Sequence, residues 1–166
     1  SIDNNLPGTA ASALFNPDVT FLNATISMDA ILATSSADTS ALGIIFRYQD
    51  ESNYYVFAID GMARYSIWRL NAGVWQELRG LADRWTESEF ILSKGQSNFM
   101  TLTFTNDQVT GYVNNHALTT LSLEANMVTP GAVGVYVASS NNGAGVALVD
   151  TFEVGNQVFS MTADSP

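Results

Sequence analysis

The sequence predicts an all-β chain folded as two antiparallel sheets packed into a jelly-roll β-sandwich. Three observations carry this. About ten short runs rich in apolar residues, several strictly alternating, recur at roughly 8–12-residue spacing, the signature of a sandwich or barrel. Turn formers stand between them, among them Asn16-Pro17-Asp18, Asp60-Gly61, Asn71-Ala72-Gly73 and Asn114-Asn115. No amphipathic helical pattern is present, and no long-range repeat points to a propeller or solenoid.

Ser1–Asn16 is polar and reads as a loosely ordered start with one anchoring turn or short strand. Val19–Ala33 alternates along its length and predicts a half-buried strand. Leu22, Ala24, Ile26, Met28, Ala30 and Leu32 take one face; Asn23, Thr25, Ser27 and Asp29 take the other. Asn23-Ala24-Thr25 within it has the form of a glycosylation sequon. Thr34–Ser40 is a Ser/Thr/Asp loop that leads into the central strands.

Leu42–Tyr48 and Tyr54–Asp60 predict a hairpin around the polar segment Gln49–Asn53. With Tyr48 opposite Tyr54, Arg47 faces Tyr55 and Phe46 faces Val56. One face then carries Ile44, Phe46, Val56, Ala58 and Ile67 as the core. The other sets Arg47, Tyr55, Ser66 and Trp68 side by side. A tight turn at Asp60-Gly61 places Trp68 opposite Tyr55; a bulge at Gly61–Met62 slips the register and puts Arg69 there instead. Both registers are compatible with the alternation. A further hairpin at Asn71-Ala72-Gly73, with Gly73 at a left-handed bulge position, brings Trp75 opposite Arg69.

Gln76–Ala82 continues as strand, and Asp83–Asn98 is an irregular connection over a rim that contains Trp85. Phe99–Thr105, Gln108–Asn114 and Ala117–Ser122 are strands, the first with Met100, Leu102 and Phe104 inward. Leu123–Thr129 is a connector with a helical turn. Ala132–Ser139 carries Val133, Val135 and Val137 on one side, and Ser139–Gly145 is a flexible loop. Val146–Val154 is the last clear strand, Asn156–Met161 adds an edge strand, and Thr162–Pro166 frays. No linker divides the chain, so residues 1–166 are expected to form a single domain.

At 166 residues, with 46% hydrophobic and 13% charged, the chain has the make-up of a globular domain. Six basic against 16 acidic residues give a net charge of -10. A nucleic-acid surface needs clustered Lys and Arg, so that function is excluded, and an anionic membrane surface is disfavoured. The absence of cysteine removes disulfides, thiol nucleophiles and Cys-based zinc sites. No apolar run approaches the ~18–20 residues that span a bilayer. Abundant Ser, Thr, Asn and Gly with a single lysine suit a bacterial extracellular or cell-surface protein, and a start at Ser1 suits a processed or excised piece.

GIIFRYQDESNYYVFAIDG followed by YSIWRLNAGVW resembles a run in bacterial concanavalin A-like lectin/glucanase domains, near their laminin-G-like branch. Tyr112-Val113-Asn114 before a turn, Gly134 in a Val-rich strand and Val149-Asp150-x-Phe152 fit the same group over about Val19–Val154. The chain departs from it with Asn114-Asn115 for Asn-Gly and Asp150-Thr151 for Asp-Asn. The resemblance implies a concanavalin A-like sandwich. It leaves the ligand open, because such domains serve as sugar binders, adhesion modules and spacers. Laminin-G-like domains carry calcium at a rim, which makes calcium the candidate cofactor.

An arginine beside aromatic rings is suited to sugars: rings stack on the apolar side of a pyranose and the guanidinium donates to hydroxyls. Arg47, Tyr55, Trp68, Arg69 and Trp85 are therefore the candidate ligand-binding residues. They also have a structural reading, with Arg47 paired to Asp50 or a buried acid and Trp68 in the core. Asp50, Glu51, Asn53 and Asp60 supply the oxygen ligands calcium takes, though plain solvated turns are the more ordinary reading of them. Glu87 and Glu89 lack the third acid and the strand setting of the glucanase motif, and His116 has no clustered partner in sequence. The expected function is a non-catalytic extracellular carbohydrate-binding or adhesion module whose partner is a carbohydrate or cell-surface glycan. The alternative is a building block of a surface layer, filament or envelope complex, with a protein partner or a homo-oligomeric contact.

Overall fold

The computed structural model describes residues 1–4 and 8–155. Within them lie thirteen strands and one short 3-10 turn, Ala125–Met127. Two sheets, all of whose strand pairs are antiparallel, pack face to face. The first runs β1 (Ile2–Asn4), β13 (Gly145–Gly155), β3 (Ala24–Leu32), β9 (Ser97–Thr105), β10 (Gln108–Val113), β11 (His116–Ser122). The second runs β2 (Ala10–Leu14), β12 (Ala132–Ala138), β4 (Ala41–Asp50), β5 (Asn53–Asp60), β6 (Arg64–Asn71), β7 (Val74–Glu77). A two-residue strand, β8 (Thr86–Glu87), also pairs with β6. This is the expected jelly-roll sandwich. Among the described residues no helix is long and apolar enough to cross a membrane.

Alternating residues of the two inner faces make the main core. Ile26, Met28, Met100, Leu102 and Phe104 from the first sheet meet Ile44, Phe46, Phe57, Ile67 and Val137 from the second. All are fully buried; each such side chain contributes about 1.5–3 kcal/mol on leaving water. Val133 and Val135 join them as the alternation predicts. Asn114 and Asn115 take left-handed φ of 50° and 67° and close a two-residue hairpin between Val113 and His116.

Several expectations need correction. The first 16 residues are not a loose start with one short strand: β1 joins the first sheet and β2 the second. The long strand begins at Ala24 and not at Val19; Phe21 makes only an isolated bridge to Gly131, and Leu22 is exposed. The strand after Trp75 stops at Glu77, whose carboxylate accepts the backbone N–H groups of Arg79 (2.9 Å) and Gly80 (3.1 Å) and turns the chain. The edge strand expected at 156–161 and the end at 162–166 lie outside the described residues.

The central hairpin differs in register. Asp50 pairs with Asn53, so only Glu51 and Ser52 form the turn, and Phe46 faces Tyr55 in place of Val56. A one-residue change of register turns every side chain of a strand to the other face. Tyr55, Phe57 and Ile59 therefore point into the core, and Val56 and Ala58 point away from it. The next turn is the slipped one: Gly61, Met62 and Ala63 form it, with Ala63 left-handed at φ 56°, and Tyr55 faces Arg69. Ala72 and Gly73, both left-handed, make a two-residue turn, so Trp75 faces Leu70 and not Arg69.

Arg47 sits in a bulge with φ 49°, a left-handed conformation that costs a side-chain-bearing residue roughly 1–2 kcal/mol. The ladders to β5 and to β12 both shift register here. Gly131 packs on the bulge so closely that a methyl group would overlap the Arg47 backbone. Gly131→Ala is therefore expected to lower the unfolding free energy by about 2–3 kcal/mol. Gly73→Ala, with open space but φ +79°, should cost only about 1 kcal/mol. Urea denaturation of both variants checks this; a Gly131→Ala protein as stable as the parent contradicts the packing.

Candidate functional site

The face of the second sheet turned away from the core is apolar and aromatic. Val56 and Ala58 of β5 form its floor, with Trp68 of β6 opposite Val56. Tyr136 stands there because β12 alternates, with Val135 and Val137 inward. Trp75 comes from β7, and Arg84 and Trp85 from the long connection. These seven residues line a groove of about 280 Å³.

The rings are set edge to face or tilted. Trp68 lies 6.4 Å from Trp75 at 85° and 6.4 Å from Trp85 at 47°. Trp75 meets Tyr136 at 6.1 Å and Tyr54 at 5.7 Å, and Tyr54 stacks on Tyr48 at 5.5 Å. Edge-to-face contacts fix the rings against one another. The Arg84 guanidinium lies 5.9 Å from the Trp68 ring centre, and that of Arg64 lies 5.8 Å from Trp85.

The connection bearing Arg84 and Trp85 is pinned. Arg79 Nε pairs with Glu77 at 2.6 Å, its Nη1 donates to Thr86 Oγ1 at 2.9 Å, and its Nη2 donates to the Arg84 carbonyl at 2.8 Å. Ser66 Oγ donates to the same carbonyl at 2.5 Å, and the Arg79 guanidinium covers the Tyr65 ring at 4.8 Å. One side of the groove is thus held by an ion pair whose side chains are buried and by charge-assisted hydrogen bonds, which suits a preformed surface.

The five predicted ligand residues do not share one face. Trp68 and Trp85 line the groove, half-buried. Arg47 and Tyr55 are 0% and 5% exposed and belong to the interior. The bulge swings Arg47 inward, where it lies over Phe104 and donates to the carbonyls of Leu22 (3.3 Å) and Asn106; its expected pairing with Asp50 does not form. Tyr55 faces inward through the register change and donates to the Met127 carbonyl at 3.3 Å. Arg69 follows Tyr55, its guanidinium 5.7 Å from that ring. Burial lowers the Arg47 pKa from its ordinary value, opposed by Tyr55 and Asp107.

Three groove residues escaped the sequence reading. Tyr136 was legible, since it alternates with the inward valines of its strand. Trp75 was legible had Ala72-Gly73 been counted as a two-residue turn. Arg84 carried no signal beyond its position next to Trp85.

The four predicted calcium ligands are divided between two ends of β5. Asp50 accepts the Ser52 N–H at 2.8 Å and an Asn53 amide hydrogen at 2.9 Å. Asp60 is at the far end of the strand, its carboxylate held by Met62 N, Arg64 N and an Arg64 ion pair at 2.6 Å. A strand of 8 residues separates them by roughly 20 Å or more. The set does not fit one ion, and among the described residues no group of three His, Cys, Asp or Glu side chains converges. Glu87 and Glu89 are exposed, and His116, expected in the hairpin turn, is the exposed first residue of β11, stacked on Phe90 at 3.7 Å.

No protein-family profile matches the chain, and no curated protein matches it in sequence. Solved structures do match. The carbohydrate binding module CBM66 from Bacillus subtilis superposes with a TM-score of 0.68 at 11% identity, over 92% of this chain and 94% of that one. CG-16, a homodimeric agglutinin from chicken liver, gives 0.60 at 10% identity, over 89% and 100%. A tetrameric galectin from the sponge Cinachyrella gives 0.58 at 13% identity, over 87% and 98%. The fold is that of lectin-like β-sandwiches. At these identities the likeness carries the fold alone and does not distinguish a laminin-G-like branch.

Burial raises the Tyr54 pKa to about 12, and it raises those of Tyr48, Tyr55 and Tyr136 in the same direction. A folded-state pKa above the unfolded value near 10 means stability is full below about pH 10 and lost as pH climbs from there toward 12. Thermal unfolding between pH 8 and 12 should show the midpoint falling above pH 10, less steeply in Tyr54→Phe. An identical slope in the variant contradicts the assignment of Tyr54.

Proposed function

We propose that this chain is a non-catalytic carbohydrate-binding or adhesion module acting outside the cell, with the glycan lying across the aromatic groove. The observation that carries this reading is the groove itself. Three tryptophans and a tyrosine ring an apolar floor on an open sheet face, and Arg84 stands at its edge as a hydrogen-bond donor. Ring faces offer a stacking surface to the C–H side of a sugar, and the guanidinium serves its hydroxyls. The neighbours named as a carbohydrate binding module and an agglutinin support the same reading by fold.

The alternative, a building block of a surface layer or filament, draws on the open edge strand β7. There Val74 is 69% exposed beside Trp75, which is 39% exposed. Such an edge is a template for pairing with another chain.

A glycan panel followed by tryptophan fluorescence and calorimetry tests the first reading. Trp68→Ala and Trp85→Ala are each expected to weaken the best glycan about tenfold or more, with the fold retained by circular dichroism. No binding across a broad panel, or unchanged affinity in both variants, rejects it. Light scattering tests the alternative: a strict monomer at high concentration counts against assembly, and an oligomer abolished by Val74→Lys favours it.

A further inference from the structure

The face that carries the groove continues past Trp85. Along β6, Ile67 enters the core and Trp68 lies on the outer side, so Ser66 and Arg64 share the outer side with Trp68. β8 runs beside them and sets Glu87 directly opposite Arg64. Residues paired in this way project from the same face of a sheet. Arg64, Asp83, Trp85, Thr86 and Glu87 line a second hollow, of about 470 Å³. Trp85 lines both this hollow and the groove. The two are therefore neighbours on one face, with a tryptophan between them.

Their chemistry differs. The groove has an apolar floor of Val56 and Ala58 and walls of aromatic rings. The second hollow has a guanidinium and two carboxylates in its lining. Asp60 takes Nε of Arg64 at 2.8 Å and Nη2 at 2.6 Å. A guanidinium has five N–H donors, so others remain, and this one lies 5.8 Å from the Trp85 ring centre. Asp83 and Glu87 are exposed and, among the described residues, form no ion pair. A sugar hydroxyl both donates and accepts, so donors and acceptors standing together suit it. A sugar carboxylate does not fit as well, because the positive charge of Arg64 is already matched by Asp60 while both other acids are unmatched.

Length is the remaining constraint. Arg64 and Trp68 are four positions apart on β6, about 13 Å along the strand. That is longer than a single pyranose ring.

We propose that the groove and the second hollow form one elongated site for a neutral oligosaccharide of two or more units that crosses Trp85. One unit stacks in the groove, and the next sets its hydroxyls against Glu87, Asp83 and Arg64. The proposal deepens the carbohydrate-binding reading and rests on it.

Neutral cello-, laminari-, xylo- and galacto-oligosaccharides, from one to six units long, are titrated by calorimetry. In a series that binds, affinity is expected to rise about tenfold or more from the monosaccharide to the length that fills both hollows, and then to level. The double variant Asp83→Ala/Glu87→Ala should flatten that rise, with the fold retained by circular dichroism. Counterparts of the binding series that carry C6 carboxylates should bind about tenfold more weakly. Equal affinity at every length overturns the elongated site and leaves the groove as a site for one unit. A rise that survives in the double variant overturns the assignment to this hollow. Carboxylated sugars that bind as tightly as neutral ones overturn the neutral class. No binding by any series or by the broad panel rejects the carbohydrate-binding reading itself, and this inference with it.

Discussion

The bulge at Arg47 is the constraint on which the arrangement depends. Regular alternation would send this side chain outward, between Phe46 in the core and Tyr48. The left-handed backbone turns it inward, and the guanidinium then reaches across the sandwich to Phe104 of the opposite sheet and to the carbonyls of Leu22 and Asn106. Asn106 is also fixed from the other side, its N–H donating to Asn23 Oδ1 at 2.6 Å. One arginine thus joins β4, the approach to β3 and the β9–β10 turn. The backbone strain and the burial of charge both oppose this arrangement. Charge-assisted hydrogen bonds, a cation–π contact and the fit of Gly131 offset them.

The same feature shows where sequence reasoning stopped. Strands whose alternation is strict were legible residue by residue: Ala24 to Leu32, Met100 to Phe104, and Val133 to Val137. So was the Asn114-Asn115 turn, since asparagine accepts left-handed φ. The central hairpin was harder because both of its faces are apolar, and alternation cannot choose between two faces that look alike. The number of turn residues decides, and a run such as Gln49–Asn53 holds several turns of similar quality. Expecting Tyr48 opposite Tyr54 was close in space, since the rings do stack at 5.5 Å. It was wrong in register, and that exchanged the roles of Tyr55 and Val56. Trp68 still came out facing away from the core, because a slip in one turn and a slip in the next cancelled. A left-handed arginine has no sequence signature at all.

A sandwich needs only its two inner faces to be apolar. On the first sheet the outward positions obey this: Ser27 meets Thr101 at 3.3 Å and Thr110 meets Thr120 at 3.1 Å, hydroxyl to hydroxyl. The second sheet carries Val56, Ala58, Trp68, Trp75 and Tyr136 on the corresponding face. Folding does not require that asymmetry. An aromatic patch left open on one sheet, and braced by the Glu77–Arg79 pair, is the kind of exposed apolar surface that marks a binding site. Its members come from four separate parts of the chain, which is why no single motif announced it.

Net charge and local charge point in opposite directions here. A chain at -10 repels anions at long range. That repulsion is screened over about 8–10 Å at ordinary ionic strength. Contact chemistry works at shorter range, where the question is which charged groups lack partners. Among the described residues Arg47, Arg69 and Arg84 form no ion pair; Arg84 lines the outer groove, whereas Arg47 and Arg69 lie on the core side of the sheet with Tyr55. For a ligand in the aromatic groove the guanidinium at contact range is that of Arg84, which lines the groove 5.9 Å from the Trp68 ring centre, and its short-range donors act there whatever the distant field.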